Sequence, residues 1–208
     1  MVISMNLDEI IDATFKRTKT FRTEGLMPAL RGIKPPYDGA LWDDILNVNG
    51  CFNYIWSACL MDVFKPAQVV ELGAAMGAWS LCVLHTLPAD SQLYSITLAE
   101  DGKEFMFVID KYENFHPIVG NDLDMDNWKG VDLAKTDIFY FDSLHTKEYL
   151  EKELELYSPF FKKGALLLFD DIHINEEMEQ AWREIQEKYE SKDLTDPLHY
   201  SGFGICKV

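Results

Sequence analysis

From residue 66 onward, short apolar segments alternate with segments of helical periodicity, and this alternation constrains the fold more than any other feature of the chain. The apolar segments predict strands over residues 68–72, 92–97, 117–119, 137–141 and 165–169, with β character again over residues 199–208. Helical patterns between them cover residues 79–87, 101–113, 146–157 and 175–190. Strands that alternate with helices predict an α/β fold with a parallel sheet. Because the strands are apolar throughout, helices are expected to cover both faces of this sheet.

The first 64 residues predict a helical extension in front of the domain formed by residues 65–208. Asn6 and Glu9 have the spacing of a helix capping box, and apolar residues then follow on one helical face. Residues 24–40 are rich in glycine and proline, and residues 41–64 are apolar enough for one or two helices. The extension could form a lid over a substrate, a dimer surface, or simply helices packed on the sheet.

Charge and cysteine usage exclude several classes of protein. The chain has 35 acidic and 19 basic residues, for a formal net charge of −16, which disfavours binding to nucleic acid or to an anionic membrane. The four cysteines are scattered without a C-x-x-C pair, as expected for reduced thiols. The sequence shows no signal-peptide layout and no apolar run of about 18 residues. We therefore expect a cytoplasmic protein.

The first strand of the domain runs into a turn of small residues, ELGAAMG. Ligands of such sheets bind beyond the carboxyl ends of the strands, where a turn of this kind lets them approach the backbone and its amides. Gly73 and Gly77 are present, but Ala75 stands where a dinucleotide-binding motif has its central glycine. The alternative is a tight strand-to-helix turn without a ligand.

Three carboxylates follow two later strands. Asp142 ends DIFYFD, and Asp170 and Asp171 end ALLLFDD. If these strands are neighbours, the carboxylates converge and repel one another unless a cation or protons offset their charge. Oxygen ligands favour Mg²⁺ or Ca²⁺ over zinc. The alternative is that individual aspartates cap the helices that follow.

His145 lies three residues after Asp142, and a histidine near a bound cation can act as the base that takes a proton from a hydroxyl group. His173, two residues after Asp171, is a weaker candidate for the same role or for a substrate contact. The remaining histidines have no comparable sequence setting. They are His85, His116 and His199.

These motifs resemble those of class I S-adenosylmethionine-dependent methyltransferases, and more narrowly those of small metal-dependent O-methyltransferases of the macrocin-type sugar and catechol kinds. The resemblance covers residues 65–208. It implies a doubly wound, mostly parallel, seven-stranded Rossmann-like sheet with an antiparallel C-terminal strand. It also implies methyl transfer from S-adenosylmethionine to a hydroxyl of a small molecule. A homodimer is expected only if the first 64 residues form the dimer surface considered above.

The resemblance also assigns roles to individual residues. The cofactor-binding positions that it implies are Glu71, Gly73, Ala74 and Gly77, with either Asn121 or Asp122 at the adenine. The metal ligands that it implies are Asp142, Asp170 and Asp171, with His145 as the catalytic base. A histidine at this last position suits the sugar-type enzymes slightly better, since the catechol enzymes carry a lysine.

The second strand departs from the family pattern. The family usually has an acidic residue at its end, holding the ribose hydroxyls, whereas this chain has Thr97. Glu100 or Asp101 could substitute from further along. A hydroxyl makes a weaker ribose contact than a carboxylate. This departure leaves open a methyltransferase fold without methyl transfer. Glu71, Gly73 and the parallel sheet leave open a nucleotide-cofactor oxidoreductase, although the missing central glycine and Thr97 disfavour it.

Overall fold

The computed structural model describes residues 5–33, 41–46, 51–98 and 112–208. Its seven strands form one sheet in the order β3-β2-β1-β4-β5-β7-β6. The strands are β1 (Gln68–Leu72), β2 (Gln92–Thr97), β3 (Phe115–Val119), β4 (Ile138–Phe141), β5 (Leu166–Asp170), β6 (Glu190–Asp193) and β7 (Phe203–Lys207). Strands β1 to β5 pair in parallel, and β7 is antiparallel to both β5 and β6. This confirms the expected doubly wound sheet.

Eight helices accompany the strands among the described residues. They are α1 (Leu7–Thr18), α2 (Met27–Leu30), α3 (Trp42–Ile45), α4 (Phe52–Phe64), α5 (Ala78–Leu84), α6 (Lys147–Tyr157), α7 (Glu176–Gln186) and α8 (Thr195–Leu198). Short 3₁₀ turns cover Met125–Trp128, Leu133–Lys135 and Ser158–Phe160. The capping box of Asn6 and Glu9 is present at the start of α1. The helix predicted over residues 101–113 lies almost wholly outside the described residues. None of the described helices is long and apolar enough to cross a membrane.

Helices cover both faces of the sheet. On one face, α1, α4 and α5 share a core with inward-facing residues of the strands, and Trp56 of α4 packs edge-on against Phe203 of β7 at 5.8 Å. On the other face, α6 and α7 pack over a second core, where Phe169 of β5 meets Trp182. The N-terminal helices therefore pack against the sheet, while a role for residues 1–64 as a lid or dimer surface stays a prediction.

The end of the chain differs from the sequence-based expectation. The helix predicted to residue 190 ends at Gln186, and Glu190–Asp193 forms the edge strand β6. The predicted β segment over residues 199–208 is shorter, because β7 begins only at Phe203. His199, before β7, makes an isolated antiparallel bridge to Cys51. These changes bring residues 199–202 back towards the carboxyl end of β5.

Candidate functional site

The carboxyl ends of β1, β4 and β5 meet at one edge of the sheet because these strands are direct neighbours. Gly73 follows β1 with φ +88°, and a methyl group added there would lie 2.5 Å from Cα of Ser143 and closer still to the backbone carbonyl of Asp142. The two loops therefore touch through their backbones. Only glycine allows this approach at this backbone conformation.

A cavity of about 290 Å³ opens beside this contact. Gly73, Ala75 and Thr97 line one side, and Asn121 and Asp122 line another. Its remaining lining includes the exposed apolar side chains of Leu98 and Leu144. A site with apolar walls and a few polar groups is typical of small-molecule binding.

Asn121 and Asp122, the two alternatives for the adenine contact, both line this cavity and share one partner. The hydroxyl of Tyr149 on α6 lies 3.2 Å from Oδ1 of Asn121 and donates to Oδ1 of Asp122. The hydroxyl of Tyr157 donates to the backbone oxygen of Asp122 at 2.5 Å. This end of the cavity is thus held rigidly by α6, and both residues stay candidates.

The amides of the small-residue turn bond to the protein itself, although we expected them to face a ligand. The backbone N–H groups of Gly73 and Ala74 both donate to the carbonyl of Ile96, and that of Gly77 donates to the carbonyl of Ala74. These three groups hold the turn together and do not point to a ligand. Gly77, at φ +75°, does not line this cavity, nor does it line a second cavity on the other side of the turn.

A second cavity of about 290 Å³ lies on the other side of the turn. It shares Gly73, Ala75 and Asp142 with the first, so the two cavities adjoin at the end of β1. Ala74 and Glu71 also line it, together with the aromatic side chains of Trp42, Tyr54 and Trp79. The predicted cofactor-binding positions Glu71, Gly73 and Ala74 are therefore brought together here.

Glu71 is 1% exposed and accepts hydrogen bonds from the hydroxyls of Ser80 and Ser95. Burial raises the pKa of its carboxyl to about 7, although the two hydroxyl donors oppose this change. Because the folded-state pKa is raised, Glu71 contributes stability that is present below its ordinary pKa and is lost as pH rises through about 7.

Glu71→Gln is accordingly expected to gain stability relative to the wild type on going from pH 5 to pH 8, by on the order of 3 kcal/mol. Urea unfolding at several pH values measures this difference. A constant difference across that range would show that Glu71 does not change its protonation there.

The structure brings together the three aspartates that the sequence predicts as metal ligands. Asp142 accepts from the hydroxyl of Tyr140 at 3.1 Å, and Asp170 accepts from Nδ2 of Asn53 at 3.1 Å. Burial, followed by the negative charge of Asp171, raises the pKa of Asp142 well above its usual value. Burial, followed by the charges of Asp142 and Asp171, does the same for the pKa of Asp170.

Asp171 has a left-handed backbone conformation, with φ +54°. Its carboxylate accepts a hydrogen bond from the hydroxyl of Ser201, which lies just before β7. A non-glycine residue in this region stores about 1–3 kcal/mol of strain and is concentrated at functional sites. The turn after β5 thus directs this carboxylate towards its neighbours.

His145 lies between two of these carboxylates, as its predicted role requires. Its Nε2 is 3.4 Å from Oδ1 of Asp142, and its Nδ1 is 3.4 Å from Oδ2 of Asp171. Nε2 is buried and has no hydrogen-bond partner among the described residues. Asn175, the N-cap of α7, donates to the backbone oxygen of His145 and fixes this loop. The imidazole is therefore positioned beside the acidic cluster with one nitrogen available.

His199, and not the predicted candidate His173, is the second histidine that faces the acidic cluster. His173, the weaker candidate, turns away to Asp193, with Nε2 2.7 Å from its carboxylate. His199, which has no suggestive sequence setting, lies against Asp170 and Asp171, and the three side chains could hold one metal ion. The backbone reversal at β7 places it there, and no local motif signals this.

Of the three candidates for the contact with the cofactor ribose, the structure describes Thr97. Thr97 is buried and lines the first cavity at the end of β2. Glu100 and Asp101, the alternatives to it, lie outside the described residues.

The residues at the end of β4 and β5 fit a divalent cation. Three carboxylates and two imidazoles converge there. Burial, followed by the charges of neighbouring carboxylates, raises the pKa of Asp142 and of Asp170, and Nε2 of His145 is an unpartnered buried atom. A bound cation would offset the negative charge of these carboxylates.

Comparison with known proteins gives a family model that matches part of the chain, and a fold. Residues 70–172 match the family model described as a methyltransferase domain. None of the curated proteins searched matches the chain in sequence.

Solved structures resemble it over most of its length. The O-methyltransferase TomG from Streptomyces achromogenes, in complex with SAM, is 16% identical with a TM-score of 0.63, over 98% of this chain and 99% of that one. SAH-bound methyltransferase PaMTH1 from Podospora anserina is 10% identical with a TM-score of 0.68, over 100% and 98%. Aeropyrum pernix fibrillarin with natively bound S-adenosyl-L-methionine is 18% identical with a TM-score of 0.57, over 73% of each chain. At these identities the similarity establishes the fold.

Proposed function

We propose that this chain, part of which matches the model of a methyltransferase domain, is a class I S-adenosylmethionine-dependent methyltransferase. It transfers a methyl group to a hydroxyl oxygen of a small molecule with the help of a divalent cation. The observation that carries the proposal is the position of Asp142. This residue lines both cavities and is also part of the acidic cluster beside His145. A cofactor and a cation-held acceptor would therefore meet at one residue.

The first cavity supports binding of the adenosine part of S-adenosylmethionine. Asn121 and Asp122 supply polar groups at one end, and Leu98 and Leu144 supply apolar surface. The adjoining cavity, with Glu71 and Ala74, suits the methionine part. When bound, this cofactor would supply an electrophilic methyl group.

His145 supplies the base in this proposal. Its buried Nε2 would accept the proton of the acceptor hydroxyl. The hydroxyl oxygen would then receive the methyl group that S-adenosylmethionine supplies, as the bond from that group to the sulfonium sulfur breaks and S-adenosylhomocysteine leaves. The carboxylates of Asp142 and Asp171, each 3.4 Å from a ring nitrogen, stabilise the positively charged imidazolium that results. Holding both reactants in line contributes much of the acceleration.

Asp142, Asp170 and Asp171 are the residues that would hold Mg²⁺ or Ca²⁺. The chemistry that a divalent cation would supply there is a lower pKa for the reacting hydroxyl. Acceptors with two adjacent hydroxyls, as in catechols and sugars, are the substrate class that this chemistry favours.

His145→Gln is expected to lower kcat by about 10²–10⁴-fold, because proton transfer then loses its base. The affinity for S-adenosylmethionine should stay unchanged, since His145 does not line the first cavity. Initial rates are measured with the best acceptor from a panel of catechols and sugars, in the presence of Mg²⁺.

His173→Gln is the matched control, because this histidine lies at the same end of the sheet but pairs with Asp193. We expect it to retain wild-type turnover. Equal rates for wild type and His145→Gln would remove His145 from the mechanism.

A further inference from the structure

His199 is a buried imidazole that the proposed reaction does not use. Its side chain is 7% exposed and points to the acidic cluster, with Nε2 3.9 Å from Oδ2 of Asp170 and 4.0 Å from Oδ1 of Asp171. Both distances exceed the range of a hydrogen bond. Neither carboxylate therefore accepts a hydrogen bond from Nε2, although both face it. The arrangement leaves a space between one nitrogen and two oxygens.

The other ring nitrogen indicates which tautomer is present. Oγ of Ser201 donates its single proton to Asp171, and the same Oγ lies 3.0 Å from Nδ1 of His199. Since that hydroxyl has no second proton, the contact requires a proton on Nδ1. The backbone N–H of Ser201 lies 3.3 Å from Nδ1 and would suit the opposite tautomer, but this contact is the longer one.

With the proton on Nδ1, a neutral His199 directs the lone pair of Nε2 at two carboxylate oxygens. A lone pair and two anionic oxygens repel one another unless a cation lies between them. Metal-ligating histidines characteristically donate their second ring N–H to an oxygen in this way, which fixes the tautomer and the ring orientation. The hydrogen bonds from Nδ1 of His199 to Ser201, and from Ser201 to Asp171, fix the imidazole in this way.

Two further contacts fix the position of this imidazole. The backbone of His199 bridges to Cys51, immediately before α4. Gly202, at φ +112°, allows the segment to approach residues 172 and 173, because a methyl group there would lie 2.6 Å from Cγ1 of Ile172. The imidazole is therefore held by the fold rather than by chance side-chain packing.

We propose that Nε2 of His199 is a direct ligand of the divalent cation, together with carboxylate oxygens of Asp170 and Asp171. This inference rests on the cation of the proposed function. A nitrogen ligand among carboxylates favours transition metals such as Mn²⁺, Fe²⁺ or Co²⁺ over Mg²⁺ and Ca²⁺. The site would therefore prefer a transition metal to the Mg²⁺ or Ca²⁺ that an all-oxygen site favours.

Electron spin-echo spectroscopy of the protein loaded with Mn²⁺ alone tests this ligand directly, because a coordinated imidazole ¹⁴N modulates the echo. The His145→Gln protein is used, so that the neighbouring imidazole does not contribute. We expect ¹⁴N modulation in this variant and its loss in His145→Gln/His199→Gln. His173→Gln in the same background is the control and should retain the modulation.

Binding of Mn²⁺ and Mg²⁺ by calorimetry gives the second readout. We expect His199→Gln to weaken Mn²⁺ binding by about 10–100-fold and to weaken Mg²⁺ binding much less. Circular dichroism checks that the variant is folded. If it is not, labelling the histidines of the His145→Gln protein with ¹⁵N replaces the variant, because the ¹⁴N modulation should then disappear.

Two results would overturn the inference, and they are distinguishable. Bound Mn²⁺ without ¹⁴N modulation in His145→Gln would show a cation held by carboxylates only, leaving the proposed function intact. Absence of any Mn²⁺ or Mg²⁺ binding to the folded wild-type protein would remove both the ligand and the cation of the proposed function.

Discussion

Gly73→Ala is expected to abolish S-adenosylmethionine binding and to lower the free energy of unfolding by about 3 kcal/mol or more, among the largest effects of single mutations. The left-handed conformation of this residue contributes about 1–2 kcal/mol of that loss. The remainder comes from the clash of the new methyl group with the backbone of Asp142 and Ser143. Relief of this clash moves apart the loops that carry both the cofactor cavity and the acidic cluster.

Gly130→Ala is the matched control for this substitution. Gly130 also has a positive φ, +92°, but nothing lies within 4 Å of the methyl group that alanine would add. We expect Gly130→Ala to lose only the stability that the left-handed conformation accounts for, and to bind the cofactor like the wild type. Urea unfolding measures the free energy of unfolding, and calorimetric titration measures the affinity for S-adenosylmethionine. Equal losses in the two variants would show that the contact between the loops has no energetic importance.

Asp170→Asn is expected to have opposite effects on cation binding and on the stability of the cation-free protein. The substitution removes a ligand, so cation-dependent methyl transfer should fall to background. It also removes one of three mutually repelling charges, whose burial raises the pKa of Asp170. The free energy of unfolding in EDTA at pH 8 should therefore rise by on the order of 1 kcal/mol. The amide can still accept the hydrogen bond from Asn53.

Asp126→Asn controls for the loss of a carboxylate as such, because the side chain of Asp126 is 75% exposed and pairs only with Lys129 among the described residues. Asp126→Asn should change neither cation binding nor the stability of the cation-free protein. Thermal unfolding without Mg²⁺ measures this stability, and the increase on adding Mg²⁺ reports cation binding. An Asp170→Asn protein that is still stabilised by Mg²⁺ like the wild type would contradict the assignment of Asp170 as a ligand.

The central sheet could be predicted because its strands are apolar and bounded by turn residues. The bounds of β1 and β2 are as expected from their sequences. The edge strand β6 could not be predicted in this way, since its sequence, ESKD, is polar and largely exposed. It forms because β7 offers a free edge with which it can pair, and this pairing is a tertiary effect.

The candidate site also contains residues that local sequence predicts and residues that only tertiary contacts bring in. Asp142, Asp170 and Asp171 could be predicted because each comes at the end of a buried strand, where parallel strands direct their loops to one edge. His199 could not, since it is brought in by the reversed strand β7 and the bridge to Cys51. The left-handed conformation of Asp171 and the internal use of the amides of Gly73 and Ala74 also depend on contacts between distant segments.

Calorimetric titration of S-adenosylmethionine into the purified protein tests the central claim most directly, first with Mg²⁺ and then with EDTA. It needs no knowledge of the acceptor, and it asks whether the cavity with Thr97 in place of an acidic residue binds the cofactor. We expect one molecule per chain with a dissociation constant of about 1–100 μM, in the range usual for enzyme substrates. No detectable binding to the folded protein under either condition would contradict the claim and favour a methyltransferase fold that serves another purpose.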